Sequence, residues 1–258
     1  SSTGNILLLG DPGVGKTTLC TQLKRPYFLQ CDGNFKGPLF AIRESGLKLD
    51  FKYDMPHIND DGTVVPRKDR LKNGMKFLNA AMADPTIDTI IIDSLTTLQR
   101  MIEDEVRVQQ NRAIADGIKV FHDEPLAKQD WRPFAGIAME LIMKLKAWAQ
   151  AMNKLSVFIG HIDSRTDESK EKPKDDNASP HLKYINFPGM LRQSMGGLFD
   201  DVWVIETDRK LVNGKLATVR QLKTGPDDFR DKPLGLKTSI KTGHRFDLDF
   251  IKLNALLS

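Results

Sequence analysis

"GDPGVGKTT", residues 10–18, follows directly on the apolar run "NILLL" (5–9), and its reading decides the fold. Three glycines and a lysine are a poor composition for packing, yet they stand where a strand has just ended. The spacing fits G-x-x-x-x-G-K-[ST], with Gly10, Gly15, Lys16 and Thr17 at the fixed positions. "NILLL" predicts a fully buried strand, and "KTTLCTQL" (16–23) predicts the start of a helix with apolar residues at helical spacing. A turn between the two, built to wrap an anion, offers successive backbone N–H groups as a nest beside a helix N-terminus. The predicted phosphate-binding set is therefore Gly10, Asp11, Pro12, Gly13, Val14, Gly15, Lys16, Thr17 and Thr18. Lys16 reaches the β- and γ-phosphates, and the Thr17 hydroxyl ligates Mg²⁺. A glycine-rich turn with a chance lysine is the competing reading. Strand before and helix after weigh against it.

Composition sets the outer bounds. A length of 258 residues suits one α/β domain spanning 1–258, with a helical insertion at about 99–134 and a mobile loop at about 165–183. The sequence holds no run of eighteen apolar residues, which argues against a membrane span. The opening "SSTGN" does not read as a signal peptide. Two cysteines, Cys20 and Cys31, point to a reducing compartment, hence a cytoplasmic location, and away from a disulfide framework. The net charge of +4 permits contact with nucleic acid without demanding it. That charge is uneven: residues 208–223 carry five basic residues against one acidic.

Strand and helix signals alternate, as a parallel sheet covered by helices requires. "PYFLQC" (26–31) reads as the second strand, 69–83 as an amphipathic helix, and "IDTIIID" (87–93) as a buried strand. A helix at 135–153 and the strand "LSVFIG" (155–160) follow. The polar stretch 165–183 is nearly free of apolar residues and predicts the mobile loop. "FDDVWVIE" (199–206) resumes the sheet, and Asn213-Gly214 between alternating segments predicts a hairpin.

The remaining chemistry is expected at strand tips, where ligands collect in open α/β sheets. Asp93 ends "TIIID" and is the candidate metal-binding carboxylate, sharing Mg²⁺ with Thr17. The next residue is Ser94, where many ATPases of the additional-strand class carry a glutamate base, so the base must come from elsewhere. Asp32, just past the second strand, is the candidate that aligns water on the γ-phosphate, on the expectation that its strand lies beside the P-loop strand. Turn chemistry in Asp32-Gly33-Asn34 is its rival explanation. His161, at the tip of "VFIGH", is the candidate γ-phosphate sensor, with a hydrogen-bonded structural histidine as the alternative.

Together "GDPGVGKT", Asp32, Asp93-Ser94 and His161 resemble the RecA-type recombinase core. That resemblance implies a RecA-like P-loop NTPase fold, with a mostly parallel central sheet flanked by helices and a C-terminal hairpin. It also implies a mobile DNA-binding loop from Arg165 and a basic residue, Lys223, at the end of "VRQLK", with Arg220 as a second candidate, acting across a subunit interface. Two substitutions depart from the recombinase pattern: aspartate for glutamate at Asp32, and histidine for glutamine at His161. The strand ends "IIIDSLTTL" and "VFIGH", the element "DWRPFAG" and the late "KTGPDDFRDKP" are similar to phage-encoded RecA-like ATPases, the Sak-type single-strand annealing and phage nucleotide-binding proteins. Only "SSTG" stands before the first strand, so the usual linking element of filament-forming recombinases is expected to be absent or replaced.

What this resemblance implies is an ATP- and Mg²⁺-dependent hydrolase acting on single-stranded DNA in phage recombination or replication. It would form a homo-oligomer with ATP at the subunit interface, in the host cytoplasm and away from membranes. Two other classes use the same loop. One is a small-molecule or nucleoside kinase, which needs a cationic lid that 165–183, with one arginine, supplies poorly. The other is a nucleotide-controlled assembly factor without robust turnover.

Overall fold

Apolar runs without alternation become strands covered on both faces. In the computed structural model, β1 (Gly4–Gly10), β4 (Thr89–Asp93) and β5 (Leu155–Ile159) are buried along their whole length. The structure describes residues 4–33, 36–44, 50–114, 126–166, 181–188, 191–212, 215–226, 234–239 and 245–247. The other strands of the main sheet are β2 (Pro26–Gln30), β3 (Lys52–Asp54), β8 (Asp201–Val212), β9 (Lys215–Lys223) and β10 (Arg245–Asp247). Their lateral order is β10-β9-β8-β1-β5-β4-β2-β3. The six strands from β8 to β3 run parallel, and β9 and β10 are antiparallel. A separate antiparallel ribbon joins β6 (Ile162–Thr166) to β7 (His181–Ile185).

Alternate side chains of each strand feed two apolar layers. On one face Leu7, Leu9, Ile90, Ile92 and Phe158 pack with α3 (Arg70–Ala83), α4 (Leu95–Gln109) and α5 (Trp131–Met152). On the other, Ile6, Leu8, Ile91, Val157 and Ile159 meet Leu19 of α1 (Lys16–Cys20), together with Trp203, Ile205 and Leu222. Two further helices are α2 (Lys36–Glu44) and α6 (Leu191–Ser194). Arg67 and Asp104 are both buried and pair in two hydrogen bonds, 2.7 and 3.1 Å, which pin the turn before α3 to α4.

Several expectations need correction. The strand carrying Asp32 does not lie beside the P-loop strand: β4 and β5 stand between β2 and β1. Adjacency in sequence says little about lateral order, because a parallel crossover can skip strands. Helix α1 stops at Cys20 instead of running through residue 23. The chain must turn to enter β2 at Pro26, and Arg25 before it takes a positive φ of 41°. Within the stretch expected to be a helical insertion, about 99–134, Met101, Ile102 and Val106 of α4 are buried. The expected strand 199–206 and the first strand of the hairpin are one, β8, continuous from residue 201 to 212. Ends of the predicted loop 165–183 are paired strand, and its interior, 167–180, lies outside the described residues, as do Asn213-Gly214 and 227–233. Among the described residues, no helix is long and apolar enough to cross a membrane.

Candidate active site

The site is assembled where β1, β5 and β4 end side by side. Gly10 closes β1, and a Cβ there would come within 2.6 Å of the Ile205 carbonyl oxygen of β8, so only glycine lets these strands stay in register. Gly15, with φ of 97°, turns the loop into α1. Because α1 is a single short helix, backbone donors of the loop and the Lys16 ammonium carry most of the attraction for an anion. Lys16 is 5% exposed; its Nζ donates to the carbonyls of Gly10 at 2.7 Å and Asp11 at 2.8 Å.

Thr17 and Asp93 meet directly. The Thr17 hydroxyl donates to Asp93 Oδ2 at 2.7 Å, bridging the first turn of α1 and the tip of β4. Asp93 is 4% exposed, and burial raises its carboxyl to about 6, against the downward pull of the Thr17 hydrogen bond. Burial likewise lowers Lys16 to about 8, outweighing the attraction of Asp93 and Asp11. Both groups therefore hold their charge at a cost that an oppositely charged ligand would offset: a phosphate at Lys16, a divalent cation at Asp93. Among the described residues there is no cluster of three or more His, Cys, Asp or Glu side chains placed to hold a metal. One carboxylate and one hydroxyl suit Mg²⁺, which takes its other ligands from phosphate oxygens and water.

Asp32 sits on the far side of Asp93, at the exposed turn after β2. Its carboxylate accepts from Ser94 Oγ at 3.2 and 3.3 Å and from the Thr97 hydroxyl of α4. Gln30, the last residue of β2, was not foreseen. It is 2% exposed, its Nε2 donates to Asp93 Oδ2 at 3.3 Å, and its Oε1 accepts from the N–H groups of Asp32 at 2.8 Å and Gly33 at 3.2 Å. A polar residue closing an otherwise apolar strand was the signal available for it. Thr97 offered none, because its role depends on how α4 sits against the β2 tip.

His161 follows β5 and lies half-buried, with Nδ1 3.4 Å from Lys16 Nζ. Burial, and next the Lys16 charge, lower its pKa, so the neutral ring can accept from the ammonium. Its carbonyl accepts from the Asn186 N–H at 2.8 Å, which ties the loop lysine to the end of the β6–β7 ribbon.

Lys223, expected to act across a subunit interface, packs within its own sheet. It is 2% exposed, and its ammonium lies 3.9 Å from Glu206 Oε2, while Lys183 of β7 holds Oε1 of the same carboxylate at 2.7 Å. Arg220 is the residue of β9 that meets the loop, donating from Nε to the Val14 carbonyl at 2.9 Å within the same chain.

β5 stands between the P-loop strand β1 and β4, the strand whose tip carries Asp93. The AAA domain family matches residues 3–209. This chain belongs to that family. As an AAA-domain protein it is a nucleotide-binding P-loop ATPase of α/β architecture. Its fold is also similar to the crystal structure of the RadB recombinase, with a TM-score of 0.43 and 13% identity, over 88% of this chain and 82% of that one. Comparison with curated proteins yields no match.

Proposed function

We propose that this AAA-domain protein hydrolyses ATP with Mg²⁺ and couples turnover to single-stranded DNA. On this reading it works as a homo-oligomer in the host cytoplasm, in the manner of the phage-encoded RecA-like proteins that its motifs resemble. The observation that carries the reading is the Thr17–Asp93 hydrogen bond of 2.7 Å, with the Lys16 ammonium in the same buried site. Gly10 to Thr18 wrap the phosphates, and Lys16 exchanges its loop carbonyls for phosphate oxygens. Thr17 and Asp93 would hold the magnesium ion, which when bound neutralises charge developing on the transferred phosphoryl group.

Asp32 orients the attacking water. Its exposed position, and the Ser94 and Thr97 hydroxyl groups that hold its carboxylate, support that role. His161 reads the γ-phosphate through Lys16 and passes the change through Asn186 to the ribbon, whose connecting stretch is the proposed DNA contact. Buried free thiols at Cys20 and Cys31 agree with a reducing compartment.

An ATPase assay with and without single-stranded DNA tests the reading, with Asp32→Asn as control. DNA should raise turnover, and Asp32→Asn should bind ATP normally while losing hydrolysis. ATP binding without turnover in the presence of DNA would replace this reading with nucleotide-controlled assembly. Phosphate transfer to a nucleoside would replace it with a kinase.

A further inference from the structure

We propose that the side of the β8–β9 hairpin facing the P-loop seats the sugar and base of the nucleotide, and that this seat discriminates weakly among bases. Arg220 serves it within its own chain. The inference rests on the reading of the loop as a triphosphate site.

The direction of the ligand comes first. Lys16, Thr17 and Asp93 place the terminal phosphates on the β5 and β4 flank of β1. A triphosphate lying in the loop therefore sends its nucleoside end to the opposite flank, where β8 stands. Gly10, the end of β1, pairs with Ile205, but β8 continues to Val212 and β9 pairs with it throughout. The hairpin thus extends past the loop as a wall.

Strand parity identifies the facing side. Ile205 and Leu222 are a register pair, and both lie in the apolar layer with Val14 and Leu19. Two residues further along, Thr207 stands opposite Arg220, then Arg209 opposite Thr218, with Leu216 beyond. The 2.9 Å hydrogen bond from Arg220 to the Val14 carbonyl shows independently that this side looks onto the loop. Thr207, Arg209, Thr218 and Arg220 are exposed, and Leu216 is 65% exposed.

Chemistry sets the specificity. Guanidinium planes stack on any base, and an exposed leucine offers apolar contact to any base. Threonine hydroxyls donate to or accept from a ribose equally well. The wall carries no carboxylate or amide side chain on this side between Thr207 and Arg209 or between Leu216 and Arg220, where a donor–acceptor pattern specific to one base would have to sit. Stacking without edge reading favours nucleotides as a class over any one of them.

The test displaces a fluorescent ATP analogue with ATP, GTP, CTP and inorganic tripolyphosphate, using dilute monomeric protein and Mg²⁺. For the wild type, the three nucleotides should compete within about fivefold of one another, the spread expected of stacking contacts. Arg220→Ala should weaken ATP about tenfold, as loss of one cation–base stack implies, with tripolyphosphate unchanged. Arg220→Lys keeps the charge but loses the planar fork, and gives the same contrast if the alanine variant folds poorly. An equal loss for tripolyphosphate would make Arg220 a mere prop of the loop and overturn the proposal. Unchanged ATP affinity in both variants would overturn it too, as would a preference for one nucleotide beyond about a hundredfold, which stacking alone does not supply. If tripolyphosphate and ATP both fail to bind the wild type, the triphosphate reading itself falls; if they bind and Arg220 is silent, only the hairpin seat does.

Discussion

Gln30 donates to Asp93 Oδ2 at 3.3 Å while its own carbonyl oxygen accepts from the Asp32 backbone at 2.8 Å. One buried amide thus joins the Asp93 carboxylate at the tip of β4 to the turn that carries Asp32. Neither acid lies next to the other in the chain, and the amide links them from the end of β2.

Replacing Gln30 with alanine should separate binding from turnover. The phosphate loop is untouched, so ATP affinity should stay within about threefold, while kcat falls tenfold or more as the Asp32 turn loses its anchor. Equilibrium nucleotide binding and steady-state kinetics on the same preparation check this. A rise in KM with kcat preserved would assign Gln30 to ground-state binding instead.

Asp93→Asn should yield a nucleotide-free protein that is more stable and catalytically dead. Burial raises the Asp93 carboxyl from 3.8 to about 6 in the folded state. Because the native state holds this proton more tightly than the unfolded chain, its contribution favours folding at low pH and is lost as pH rises from about 4 to about 6. At pH 7 the asparagine variant should therefore gain stability, at most about 3 kcal/mol, and its stability should lose that pH-dependent limb. Chemical denaturation between pH 4 and 8 measures both effects.

Glu206→Gln should loosen the ribbon from the main sheet. The Glu206 carboxylate holds Lys183 at 2.7 Å and faces the buried Lys223 at 3.9 Å, so removing its charge weakens two cations at once. A stability loss of about 1–3 kcal/mol is expected for a partly buried cluster of this kind. Amide hydrogen exchange in residues 181–185 should speed up more than in β1 or β5.

Gly33→Ala tests how the Asp32 turn is positioned. Gly33 has a φ of 67°, and a Cβ there would lie 2.9 Å from the His57 ring. Strain of about 1–2 kcal/mol is expected from the backbone alone, and the ring must also move. Turnover should drop while ATP affinity holds. His57→Ala in the same background should recover part of the loss by opening the space.

The parts of this protein that the sequence determined by itself are those whose physics is local. A glycine-rich turn after "NILLL", with Lys16 and Thr17 following, has one good use, and Asp93 directly after three isoleucines marks a strand tip with a carboxylate on it. The alternation around Asn213-Gly214 likewise marked a hairpin, because pairing across a tight turn involves neighbours in the chain. Tertiary structure decided what depends on distance between elements. Placing β4 and β5 between β1 and β2 put Asp32 against Ser94 and Thr97 and made Gln30 the link to Asp93. The register of β8 with β1 set Arg220 on the loop and closed Lys223 inside. Those outcomes follow from how crossovers stack strands and how two apolar faces fill, a global packing problem that no window of a few residues contains.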